Sequence, residues 1–80
     1  MTGQLTIFDS MLYNIEGEIY ELKSKIDEEQ TTISYLDPND YEDRNEIRTC
    51  NSMISGYQQE ILSLEARKQE LINSARSLQR

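Results

Sequence analysis

Eighty residues with 36% hydrophobic and 29% charged side chains, no Trp, one Phe, one Pro and three Gly have the composition of a helical, solvent-rich chain rather than of a sheet sandwich. A formal charge of −7 argues against direct binding to nucleic acid or to anionic membranes. With no His and with Cys50 as the single cysteine, the sequence holds neither a disulfide framework nor the soft ligands of a zinc site, which fits a reducing, cytoplasmic setting.

The chain opens without a basic region leading into an apolar run, and no stretch approaches the roughly 18 apolar residues of a membrane span, so a soluble, uncleaved chain is expected. Apolar residues then fall at Leu5, Phe8, Leu12, Ile15, Ile19, Leu22, Ile26, Ile33 and Leu36, in alternating steps of three and four broken at Glu29. This heptad seam predicts a first helix over about 4–36.

The next stretch, YLDPNDYEDRNE, contains the only proline, Pro38. Asp37 before Pro38 reads as a helix N-cap followed by a first-turn residue, with Asp40, Glu42 and Asp43 where the positive end of a helix dipole favours carboxylates. A calcium loop is the competing reading, since Asp37, Asn39 and Asp43 alternate. Such a loop needs Gly at its sixth position and Glu at its twelfth, where Glu42 and Arg48 stand. The stretch is therefore expected to be a bend, an acidic tip over about 37–46.

A second seam follows at Ile47, Cys50, Ile54, Tyr57, Ile61, Leu64, Leu71, Ala75 and Leu78, broken at Lys68, and predicts a second helix reaching about residue 79. Together the elements predict an all-α fold, an antiparallel two-helix coiled-coil hairpin in one domain over 1–80, with dimerisation into a four-helix bundle as an option. Two registers compete. Pairing positions whose numbers add to 83 sets Leu5 by Leu78, Leu12 by Leu71, Leu22 by Ile61 and Leu36 by Ile47, and leaves eight of ten layers apolar on both sides. Sliding one heptad, to a total of 76, sets Ile33 and Leu36 against Asp43 and Asp40 and is the less favourable. Glu29 and Lys68 are read as long side chains that snorkel to water, with register pinning as their alternative role.

Residues 27–46 hold eight carboxylates against Arg44 alone, so this segment carries the whole net charge and the remainder balances to zero. Asp37, Asp40, Glu42, Asp43 and Glu46 are the candidate partner-binding residues of an acidic tip. A second candidate surface is a shelf outside the seam, formed by Tyr13 and Tyr20 of the first helix with Leu62 and Ile72 of the second.

Catalytic chemistry finds no support. The absence of His removes the usual base for a Cys or Ser nucleophile, Cys50 occupies a seam position, and Gly3, Gly17 and Gly56 stand singly rather than in a phosphate loop. Arg67, Lys68, Arg76 and Arg80 are too scattered for a nucleic-acid stripe and suit the negative end of the second helix. The expected function is a non-catalytic module without metal or cofactor that binds a protein with a basic surface and inhibits or adapts it. A homo-oligomeric scaffold or assembly chaperone, most simply a homodimer, is the alternative.

Overall fold

The computed structural model describes residues 2–78, with side chains described from residue 7 onward. Helix α1 (Thr2–Ser34) and helix α2 (Tyr41–Leu78) pack on each other as a hairpin, an all-α rod measuring 61 × 14 × 11 Å. The seam position Leu5 lies outside the residues whose side chains are described.

α1 ends for reasons visible in its own residues. Thr31, Thr32 and Ser34 turn their hydroxyls back onto the carbonyls of Asp27, Glu28 and Thr31, at 2.9, 3.1 and 2.6 Å, which competes with further helical bonding. The last turn tightens: the Tyr35 and Leu36 amides donate to the Thr32 and Ile33 carbonyls, three residues back. Pro38 then disfavours helical geometry at Asp37.

The acidic tip is shorter than the sequence pattern suggested, because 41–46 belong to α2 and only 35–40 form the connection. Asp40, rather than Asp37, is the N-cap. Its Oδ2 accepts from the Asp43 amide at 3.0 Å while its carbonyl accepts the first helical bond from the Arg44 amide at 2.9 Å. Asp37 instead closes a turn over Pro38 and Asn39, its carbonyl accepting from the Asp40 amide at 3.0 Å.

Burial is concentrated in the middle of the hairpin. Ile15, Ile19 and Leu22 of α1 enclose Ile61 of α2, with Ile26, Tyr57, Leu64 and Leu71 packed around them, and Cys50 is buried nearer the tip. Each such side chain is worth roughly 1.5–3 kcal/mol relative to full exposure. Lys25 lays its ammonium 5.8 Å from the centroid of the Tyr57 ring, within range of a cation–π contact.

The contacts correct the register. Glu29 was expected level with Ile54, or with Ile47 after a one-heptad slip, yet its carboxylate lies beside the thiol of Cys50, which is between the two. At the tip the Asp37 amide donates to Asp43 Oδ2 at 2.8 Å, so the first turn of α2 rises past the end of α1. The hairpin thus sits half a heptad from either expected arrangement. Two causes combine: Asp40 starts α2 early, and the small Cys50 gives the one long polar side chain of the upper seam a donor.

Candidate functional site

The hairpin gathers the carboxylates of 27–46 at one end of the rod, because the last turns of α1 and the first turns of α2 meet there. Three of the five tip carboxylates are committed to the backbone. Asp37 Oδ1 accepts from the Asn39 amide at 2.9 Å, Asp40 caps α2, and Asp43 ties the loop through the Asp37 amide. Glu42 and Glu46 stay exposed, as do Asp27 and Glu28 on α1. The end therefore combines a fixed scaffold of aspartates with a rim of solvated glutamates. Among the described residues, no group of acids, Cys or His is arranged to hold a metal ion.

Two exposed tyrosines bracket this turn, Tyr35 after α1 and Tyr41 at the first position of α2. Sequence reasoning passed over them because neither lies on a seam. Their place on either side of Pro38 was the available signal, since a bend leaves its flanking rings without a facing helix.

Away from the tip, Tyr13 and Tyr20 are 78% and 73% exposed and Leu62 is 62% exposed, while Ile72 is half-buried. At those exposures the two tyrosines and Leu62 are not covered by one another. The polar residues Glu16, Lys23, Gln58 and Glu65 are exposed as well.

Among the described residues, Cys50 stands out for its shifted acidity. Its pKa is raised, first because the thiol donates to the Glu29 carboxylate, then because burial disfavours the thiolate, and last through the negative charges of Glu29 and Glu46. The thiol is thus protected. Because the folded value lies above the unfolded one, the associated stability is present below the ordinary thiol pKa of about 8.5 and is lost as pH rises through the folded value. Alkylation of Cys50 by iodoacetamide at pH 8 is expected to be slower in the folded chain than in denaturant, and Glu29→Gln is expected to speed it. Equal rates in the folded and denatured chain would mean that the thiol is neither covered nor hydrogen-bonded.

The surface grooves, such as the one lined by Met11, Ile15, Glu18, Leu64 and Arg67, are open to solvent. Among the described residues, no helix is long and apolar enough to cross a membrane. Fold and surface together define a two-helix coiled-coil hairpin with one strongly acidic end. The chain matches no protein-family model, and comparison with curated proteins and with solved structures finds no significant similarity.

Proposed function

We propose that the chain is a non-catalytic protein-interaction module whose acidic end docks on the basic surface of a partner protein and inhibits or adapts it. The observation that carries this reading is the confinement of the net charge of −7 to one end of a 61 Å rod. Capping explains part of that charge: acids at the start of α2 suit the helix dipole. It does not explain Asp27 and Glu28, which lie in the C-terminal half of α1, away from any helix N-terminus. A concentrated field of this kind steers encounter with a basic site, including one that otherwise binds nucleic acid. Tyr35 and Tyr41 supply aromatic anchors beside the charge, the residue type that dominates interface energetics. The free Cys50 fits a reducing compartment such as the cytoplasm.

The structure also selects the variants for the test. Removing Asp40 would cost a helix cap, about 1 kcal/mol, and confuse folding with binding. Glu28→Gln, Glu42→Gln and Glu46→Gln leave the caps intact. A partner captured from lysate of the source cells, then purified, is expected to associate more slowly with the triple variant. The salt dependence of its on-rate should also flatten, since long-range attraction is screened over about 8 Å at physiological ionic strength. An unchanged on-rate would remove the acidic end as the docking surface.

A second reading, a homo-oligomeric scaffold or assembly chaperone, is supported by the exposure of Tyr13 and Tyr20 on a flank of α1 that the hairpin leaves uncovered.

A further inference from the structure

Beyond the seam, α1 carries a second pattern. Ser10, Tyr13, Gly17, Tyr20 and Ser24 recur at steps of three and four on the flank turned away from Ile15, Ile19 and Leu22. No charge interrupts this stripe, and its order of small and tyrosine residues is the same in both chain directions about Gly17. We infer that a second copy of this chain docks antiparallel along this face of α1, centred on Gly17. Each Tyr13 then lies against the partner's Tyr20, and the two acidic ends point in opposite directions. The inference rests on the self-associating reading and is independent of what the acidic end binds.

Three observations carry it. The first is area: the hairpin exposes 6253 Å², against about 5,000 Å² for a compact monomer of 9.4 kDa. That excess exceeds the roughly 800 Å² per partner of a standard interface. The second is shape. Tyr13 and Tyr20 project into solvent, and a Cβ built on Gly17 would meet nothing within 4 Å, so the backbone between the rings is open to close approach. The third is charge. On one flank the charges obey the same two-fold symmetry, because the antiparallel arrangement sets Lys23 opposite the partner's Asp9, whereas a parallel one would set like against like. A parallel pair would also bring together two ends that each carry the full net charge. Glu16 of each copy falls near the axis at the exposed rim, where solvent and salt screen the pair.

The test uses the full chain. Size exclusion with light scattering is expected to give twice the mass of 9.4 kDa. Tyr20→Lys should weaken the dimer at least tenfold with helicity retained, whereas Leu62→Lys, a matched change on the outer flank of α2, should leave the mass unchanged. Mixed Ser10→Cys and Ser24→Cys chains, each also carrying Cys50→Ser, should form the heterodisulfide in preference to either homodisulfide. If Tyr20→Lys unfolds the chain, charge reversal takes its place: Lys23→Asp should weaken the dimer several-fold and Asp9→Lys in the same chain should restore it. A monomeric mass at every concentration would overturn both this inference and the self-associating reading. A dimer that favours homodisulfides, ignores charge reversal or responds to Leu62→Lys would overturn the geometry alone.

Discussion

Ile61→Ala is expected to destabilise the hairpin by about 2–5 kcal/mol, the cost of a lost apolar side chain plus the cavity it leaves. The whole stability of a chain this size is roughly 4–12 kcal/mol, so this one change removes a large part of it. Within the central cluster, Ile61 of α2 is buried against three α1 residues, Ile15, Ile19 and Leu22. The adjacent Leu62, which is mostly exposed, provides the contrast: Leu62→Ala should stay within about 0.5 kcal/mol. Urea unfolding followed by circular dichroism, at concentrations low enough that association adds nothing, measures both. Similar costs at the two positions would mean that α2 does not present the Ile61 flank to α1.

The second large effect has the opposite sign. Gly56 lies within α2, and an added Cβ there meets nothing within 4 Å. Gly56→Ala should therefore stabilise by about 0.5–1 kcal/mol, since glycine loses the most freedom on entering a helix. A gain of 1 kcal/mol corresponds to about 4–8 °C in melting temperature for a domain of this size. Gly17→Ala should give the same gain in dilute solution, for its Cβ also has open space in the isolated hairpin. The proposed antiparallel pairing would separate the two glycines. At high concentration Gly56→Ala should keep its advantage while Gly17→Ala loses some or all of it, because methyl groups would hold the two α1 backbones apart at the two-fold axis. Melting curves at two concentrations a hundredfold apart read this difference. A Gly56→Ala chain that melts at or below the parent would show that its α2 neighbourhood is less open than it is here.

The two helices, their separation at Pro38 and the gathering of charge at one end follow from the sequence by itself. Apolar residues at steps of three and four leave a helix one face to bury, a proline ends that pattern, and folding the chain at the break brings 27–29 beside 42–46. The exposure of Tyr13, Tyr20 and Leu62 was legible in the same way, because a residue one step past a seam position points outward. The register was not. A heptad repeat slid by half its length still sets apolar positions against apolar positions, so the periodicity that identifies the helices cannot align them. Alignment depends on contacts between residues far apart in the chain: Glu29 with Cys50, and Ile61 with Ile15, Ile19 and Leu22. The cap of α2 was equally a tertiary matter. Asp37 and Asp40 are both good N-cap residues by type, and Asp40 holds the position because Asp37 is occupied in closing the turn and the Asp43 carboxylate reaches back across it.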